Sequence, residues 1–95
     1  MATIVGLLQL KLHIPLAMSL KDKRRAVKGF KDRLSATHNV SVAEVDSLDD
    51  RRMAVLAVAM VGNDKRYIEG ALQTIVNAAS NHREMILLDR CVEWL

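Results

Sequence analysis

Alternating hydrophobic and polar residues begin the chain. One face of residues 3–14 carries Ile4, Leu8, Leu10, Leu12 and Ile14, and the other carries Gln9, Lys11 and His13. A period of two is typical of a β-strand with one buried face. Gly6 falls on the apolar face, where its missing side chain would let another element approach closely. Pro15 ends the strand because it cannot donate a ladder hydrogen bond.

Residues 19–34 instead show a helical period. At about 100° per residue, one apolar stripe is formed by Leu20, Ala26, Val27, Phe30 and Leu34. Ser19 is a suitable N-cap, and Asp22 three residues later completes a pattern that resembles a capping box. The helix is predicted to end near Ala36. Lys23 projects towards the stripe, so we expect its ammonium group to extend past the stripe to solvent.

Two further strands follow the predicted helix. Residues 40–45 form a short segment rich in residue types that favour strands. A polar turn with three acids occupies residues 46–51. Residues 53–61 are apolar on both parities, as in a central strand covered on both sides. The short connection predicts that these two strands form a hairpin.

A second helix and a last strand complete the pattern. Asn63 or Asp64 is the predicted N-cap of a helix that runs to about Ser80, and residues 85–95 form the last strand. The buried stripe of this helix is predicted to consist of Ile68, Leu72, Ile75, Val76 and Ala79.

The order β-α-β-β-α-β predicts a single α+β domain over residues 1–95. This is the ferredoxin-like plait, a four-stranded antiparallel sheet with both helices on one face and the first and third strands in the centre. The uncovered face would carry Val5, Leu7 and half of the third strand. An apolar sheet face of several hundred Å² is usually an interaction surface. We therefore expect a homodimer through the sheet, or a protein partner on it. The alternative is that marginal residues such as Trp94 cover the face within one monomer.

Charge is concentrated in the first predicted helix. Its seven cations are Lys21, Lys23, Arg24, Arg25, Lys28, Lys31 and Arg33. Two acids, Asp22 and Asp32, leave residues 19–34 with a net charge of +5; since the whole chain carries +3, the remainder sums to −2. Four of these cations lie in the first two turns, where the helix macrodipole disfavours positive charge. A negatively charged partner or nearby acidic side chains would compensate; the plainer interpretation is a solvated helix face.

Cysteine content and hydropathy indicate the cellular setting. The single cysteine, Cys91, excludes an internal disulfide and a multi-cysteine metal site. The N-terminal residues have no basic leader or small-residue cleavage site. No apolar run approaches the roughly 20 residues that span a bilayer. We therefore expect a cytoplasmic protein.

Motifs for catalysis are not found, and we predict a protein that is not an enzyme and has no cofactor. No glycine-rich phosphate loop or nucleophile motif occurs, and the three histidines fall at strand or loop ends. Four acids near the hairpin turn could surround a divalent cation, as in a metal-dependent nuclease: Glu44, Asp46, Asp49 and Asp50. Acidic turns are far commoner than metal sites, and these acids could instead pair with Arg51 and Arg52.

Nucleic-acid modules on similar scaffolds carry motifs that this chain lacks. The RNA-recognition motif stacks bases on aromatic residues of its central strands, and the KH domain uses a G-x-x-G loop. Contact with RNA would therefore be directed at phosphates. The predicted contacts are Lys21, Lys23, Arg24, Arg25 and Lys28.

Two segments carry a family resemblance. S-L-K-D-K-R-R at residues 19–25 and N-V-S-V-A-E-V-D at residues 39–46 resemble the YlxP-like family of small bacterial proteins, a domain of unknown function. The turn at residues 46–51 departs from that pattern, because it lacks the Gln and Trp often seen there. The resemblance implies a ferredoxin-like fold, a bacterial cytosolic setting and, through gene neighbourhoods devoted to translation initiation and ribosome maturation, a role beside the ribosome.

The function predicted from these observations is that of a non-enzymatic accessory factor. It would associate with RNA or a ribonucleoprotein through the basic first helix. The alternative is a module that binds a protein or a small ligand on the open sheet face. An occupied sheet face would indicate the second function, and salt-sensitive binding to RNA would indicate the first.

Overall fold

A computed structural model of the chain describes residues 2–95. The elements in chain order are β1 (Ile4–His13), α1 (Leu20–Thr37), β2 (Val40–Asp46), β3 (Met53–Gly62), α2 (Lys65–Ser80) and β4 (Ile86–Trp94). The predicted order is confirmed, and Asp64 is the N-cap of α2, its carboxylate accepting the N–H groups of Arg66 and Tyr67. Neither of the two described helices is long and apolar enough to cross a membrane.

The four strands form one antiparallel sheet with the order β2-β3-β1-β4. β1 and β3 are therefore central, as their apolar sequences predicted. With two helices in this order of elements, the chain has the ferredoxin-like α+β fold. α1 packs on β2, while α2 packs on β1, β3 and β4.

The core lies between the sheet and the helices. Every second residue of the central strands points into it, and the helices contribute the apolar stripes that their periodicity predicted. Fully buried members include Leu8, Leu10, Leu12, Leu56, Val58, Phe30, Ile68, Leu72 and Ile75. The alternation of buried and accessible residues along β3 shows that only one side of this strand is covered by helices, although its sequence is apolar on both sides.

Gly6 is the point at which α2 crosses β1. A Cβ atom at this position would lie 2.8 Å from Ile68 Cγ2, 3.0 Å from Trp94 Cζ3 and 3.1 Å from Leu72 Cδ1. The predicted close approach is confirmed, because any side chain here would displace α2 or the end of β4. Gly6 and Trp94 are also paired across the β1–β4 ladder, so both face the helices.

The opposite sheet face is open and mixed in character. Its apolar residues, all partly or fully accessible, are Val5, Leu7, Val55, Ala57, Ala59 and Val61. The same register places exposed polar side chains among them: Gln9, Lys11, Ser41, Asp89 and Glu93. The alternative in which Trp94 covers this face is wrong, because Trp94 packs on the helix side, where Gly6 leaves space for its ring. The prediction that a second copy covers the open face stays a prediction.

Replacement of Gly6 by valine is expected to lower the free energy of unfolding by about 1–3 kcal/mol, because Ile68 and Leu72 are buried and have no room to move aside. Gly70 offers a matched control: it lies within α2, and a Cβ atom there would meet nothing within 4 Å. Gly70→Ala should raise stability by about 0.5–1 kcal/mol. Urea denaturation measures both, and an unchanged midpoint for Gly6→Val would contradict the packing argument.

Candidate nucleic-acid interface

The first turn of α1 is capped in the manner that the sequence predicted. Ser19 Oγ accepts the N–H of Asp22 at 3.1 Å. The Asp22 carboxylate accepts the N–H of Met18 at 3.0 Å, one residue earlier than in a standard capping box. Asp22 therefore places one negative charge at the positive end of the helix, where it partly offsets the surrounding cations.

Lys23 does not reach solvent, and its assignment as a phosphate contact is wrong. Its side chain is 0% exposed. The ammonium group donates to Glu44 Oε2 at 2.8 Å and to the main-chain carbonyl oxygens of Ser47 at 2.8 Å, Met53 at 3.0 Å and Leu48 at 3.3 Å. A lysine ammonium has three N–H groups, so these four oxygens occupy all of its donors. The ammonium can be buried because these oxygens take the place of the water molecules that would otherwise solvate it.

The β2–β3 turn is shaped to supply those oxygens. The ladder shifts register between Glu44 and Asp46, and Ser47 has a φ of 60°, in the left-handed region. Asp46 accepts the N–H of Ser47 at 2.7 Å. Asp50 accepts the N–H groups of Arg52 at 2.8 Å and Met53 at 3.1 Å. The turn therefore directs its carbonyl oxygens at Lys23, while the carboxylates of Asp46 and Asp50 accept main-chain N–H groups within the turn.

These contacts account for most of the acidic cluster that the sequence marked as a possible cation site. Glu44 pairs with Lys23, and Asp46 and Asp50 bond to main-chain N–H groups. Within residues 2–95, no three His, Cys, Asp or Glu side chains are grouped as metal ligands would be. The guanidinium of Arg52 donates to the carbonyl oxygen of Ala17, which joins the β1–α1 loop to the same turn.

The other predicted contacts, Lys21, Arg24, Arg25 and Lys28, are all exposed. The guanidinium of Arg25 lies 3.8 Å from Asp22, and the ammonium of Lys28 lies 2.7 Å from Asp32; both cationic side chains are about three-quarters exposed. The hydrogen bond from Lys28 to Asp32, together with the charge of Asp32, raises the pKa of Lys28. Exposed pairs of this kind contribute little to stability, so a phosphate group can replace either carboxylate at small cost.

A cleft separates α1 from the C-terminal end of α2. It encloses about 1200 Å³. Arg25, Gly29 and Arg33 line it from α1, and the loop after α2 contributes His82 and Arg83. Phe30 also lines the cleft. The centre of its ring lies 5.5 Å from the centre of the His82 ring, at an interplanar angle of 88°. Burial lowers the pKa of His82, and the positive charge of Arg33 lowers it further, against a smaller opposing effect of Glu84.

The sequence predicted Arg33 as one of the cations of the first helix but not as a site residue, and it indicated no role for His82. One signal was present. Arg25, Gly29 and Arg33 recur every four residues, which puts them on one flank of a helix with a gap at the glycine. What the spacing could not show is that this flank faces the loop after α2.

A smaller cleft of about 360 Å³ lies between α2 and β4, with Leu72, Val76, Arg90 and Trp94 among its lining residues. Arg90 reaches across it to the side-chain oxygen of Gln73 at 3.3 Å. The ammonium of Lys65 lies 4.9 Å from the centre of the Trp94 ring, within the range of a cation–π contact. These contacts close the margin of the core beside Gly6.

Comparison with known proteins shows the family. The family model described as "Protein of unknown function (DUF503)" matches residues 5–91, and the chain belongs to that family. No curated protein matches the chain. Among solved structures, "De novo designed protein Foldit4" is similar, with a TM-score of 0.57 and 14% sequence identity over 99% of this chain and 97% of that chain. At this identity, the likeness shows the fold alone.

Replacement of Lys23 by methionine is expected to lower the free energy of unfolding by about 3–5 kcal/mol, because Glu44 and two or more carbonyls would lose a buried partner. Adding Glu44→Gln to that variant should restore at least about 1 kcal/mol, since the uncompensated carboxylate is then removed. Urea denaturation of both single variants and the double variant gives the coupling energy.

Lys21→Met is the matched control for that cycle, because Lys21 is an exposed lysine of the same helical turn. Its free energy of unfolding should change by no more than about 0.5 kcal/mol. Equal effects at residues 21 and 23, or strictly additive effects of Lys23→Met and Glu44→Gln, would show that the buried ammonium does not tie α1 to the hairpin.

Proposed function

We propose that this DUF503 protein is a non-enzymatic accessory factor of the bacterial cytoplasm that associates with RNA or a ribonucleoprotein through α1. The observation that carries the proposal is the set of exposed cations on this one helix: Lys21, Arg24, Arg25 and Lys28. The resemblance of residues 19–25 and 39–46 to the YlxP-like family, whose genes lie among those for translation and ribosome maturation, supports the same function.

The arrangement of charge favours a phosphate-bearing partner. Three of these cations lie within about 60° of one another on the solvent side of the helix: Lys21, Arg25 and Lys28. They sit in the first half of α1, where the macrodipole opposes them, and the carboxylate of Glu44 is already engaged by Lys23. Lys21 and Arg24 form no ion pair with any residue from 2 to 95. Polyanion phosphates would supply the missing negative charge and release condensed counterions.

Binding of this type would depend on backbone phosphates more than on base identity. Phe30 is buried in the core, and Trp94 packs beside α2, so neither ring offers a free face on the central strands for stacking. Contacts to phosphate position a protein on nucleic acid but do not read its sequence. Selectivity would then come from the shape of the RNA or from protein neighbours in a ribonucleoprotein.

The first test is binding of the purified protein to bacterial ribosomes, separated subunits and generic RNA at about 50 and about 200 mM salt. Wild-type protein should bind at the lower salt concentration and weaken steeply at the higher one. The variant Arg25→Glu/Lys28→Glu should lose at least a factor of ten in affinity, because two phosphate contacts become repulsive. Its melting temperature should stay close to that of the wild type, since both side chains are exposed.

A variant with the same change in net charge separates a local contact from a general charge effect. Lys65 and Arg66 are exposed in the first turn of α2, remote in sequence from α1. Lys65→Glu/Arg66→Glu should retain most of the affinity. Equal loss in both double variants, or no binding of the wild type at low salt, would contradict a docking role for α1.

The open sheet face supports a second proposal, self-association. Four strands at a spacing of about 4.8 Å and ten residues at about 3.3 Å each give a projected face of roughly 600 Å². Stable interfaces bury about 800 Å² of accessible surface per partner, so a homodimer of ordinary size would use the whole face. Its centre holds the small residues Ala57 and Ala59 of β3, with Gln9 and Leu7 opposite them on β1, and the two alanines would let two sheets pack closely.

Replacement of Ala57 by arginine should convert such a dimer to a monomer, because a charge would be buried at the centre of the interface. Sedimentation equilibrium gives the mass directly. Thr74→Arg, on the exposed side of α2, is the control and should leave the mass unchanged. A wild-type protein that is monomeric at high concentration would contradict the dimer.

A further inference from the structure

We infer that the cleft between α1 and α2 binds the sugar-phosphate backbone of a single-stranded RNA segment, so that the RNA contact extends from the outer face of α1 into this cleft. The inference rests on the proposed function and deepens it, because it identifies where the strand lies and in what form it is bound.

The charge of the cleft is complementary to phosphate. Its charged and titratable lining consists of Arg25, Arg33, Arg83, His38, His82 and Glu84. Three arginines therefore face one carboxylate, although the chain outside residues 19–34 has a net charge of −2. Arginine presents a planar set of donors that matches phosphate oxygens in pairs.

The α1 wall has the shape of a notch between two cations. Arg25 and Arg33 lie eight residues apart on the same flank, which is about 12 Å along the helix axis. Gly29 lies midway between them, and a Cβ atom at Gly29 would meet nothing within 4 Å. A glycine in the middle of an 18-residue helix lowers helix stability by about 1 kcal/mol relative to alanine. The open notch would explain why glycine occupies this position, since an RNA backbone could pass close to α1 at Gly29.

The opposite wall supplies an uncharged donor. His82 Nδ1 accepts the N–H of Glu84 at 3.0 Å. In the neutral ring the hydrogen then lies on Nε2. The edge contact with Phe30 holds the ring in place, and burial and Arg33 keep its pKa low. His82 can therefore donate to a phosphate or ribose oxygen without adding charge beside Arg33.

The size of the cleft favours a single strand. Pockets that hold drug-sized ligands enclose about 300–1000 Å³, and this cleft of about 1200 Å³ has room for a short run of nucleotides. A single strand can enter a cleft between two helices, whereas an RNA duplex presents a broad, rigid surface that is contacted from outside. Arg25 lines the cleft and also belongs to the exposed group with Lys21 and Lys28, so a longer strand could continue from the cleft onto that face.

The test uses variants that leave Arg25 and Lys28 intact. Gly29→Gln fills the notch without a change of charge, and Gly70→Gln is the matched control, because Gly70 is also in the interior of a helix with open space around it. Neither change should lower stability. Binding of a labelled 12-nucleotide oligouridine is measured by fluorescence anisotropy. Gly29→Gln should weaken binding at least tenfold, and Gly70→Gln should leave it unchanged.

Arg33 and Arg83, which line the cleft with exposed side chains, give an independent readout. Arg33→Ala and Arg83→Ala should each reduce the slope of log affinity against log salt by about one, as expected for the loss of one phosphate contact. A duplex of the same length should bind more weakly than the single strand. Polyglutamate of matched charge should not displace the oligonucleotide, because an acidic peptide lacks the backbone shape that the cleft would recognise.

The outcomes distinguish the two proposals. If Gly29→Gln, Arg33→Ala and Arg83→Ala bind as the wild type does while Arg25→Glu/Lys28→Glu loses binding, RNA docks on the outer face of α1 and the cleft assignment is wrong. Displacement by polyglutamate at equal charge would likewise overturn the assignment in favour of an acidic protein. If the wild type binds no RNA at low salt, the proposed function itself is wrong.

Discussion

The buried ammonium group of Lys23 holds the two halves of this structure in register. It lies under α1 and joins the helix to Glu44 on β2, to the carbonyls of the β2–β3 turn and to the first residue of β3. Removing a charge from water is costly unless the polar partners are complete. The contact is therefore selective: an α1 rotated or shifted by one residue would leave an uncompensated ammonium and an uncompensated carboxylate in the protein interior.

This constraint also decides which surface the protein presents. With Lys23 pointing inward, the helical period turns Lys21, Arg25 and Lys28 to solvent and brings Arg25, Gly29 and Arg33 to the flank that faces α2. Gly6 acts from the other side, because its missing side chain seats α2 directly on β1. The cleft between the helices follows from these two anchors, one for each helix, since α1 rests over β2 and α2 over β1.

The resulting surfaces have different chemistry. The helix side carries the basic face of α1 and the cleft, whereas the open sheet face combines small and branched apolar residues with polar side chains such as Gln9 and Lys11. The two proposed contacts, one with a polyanion and one with a second copy, would therefore lie on opposite sides of the sheet. The family and the fold leave the activity open. The proposed contact with RNA therefore depends on the side chains of α1 and of the loop after α2.

Local patterns in the sequence determined the elements and their order. The alternation in β1, the apolar period of both helices, the caps at Ser19 and Asp64, and the polar turn between β2 and β3 all depend on neighbours within a few residues, and each is confirmed in the structure. The close approach at Gly6 was predictable for the same reason, since parity alone places it on the covered face.

Only the tertiary structure decided which charges are available for function. Lysine is usually a surface residue. The burial of Lys23 depends on Glu44 and on three carbonyls that lie 24 to 30 residues away. The alternative that placed Trp94 over the open face was wrong because the position of this residue depends on the β1–β4 register. The cleft arises from the meeting of α1 with the loop after α2. Periodicity reports the local direction of a side chain, but burial and charge pairing are set by whatever the fold brings opposite it.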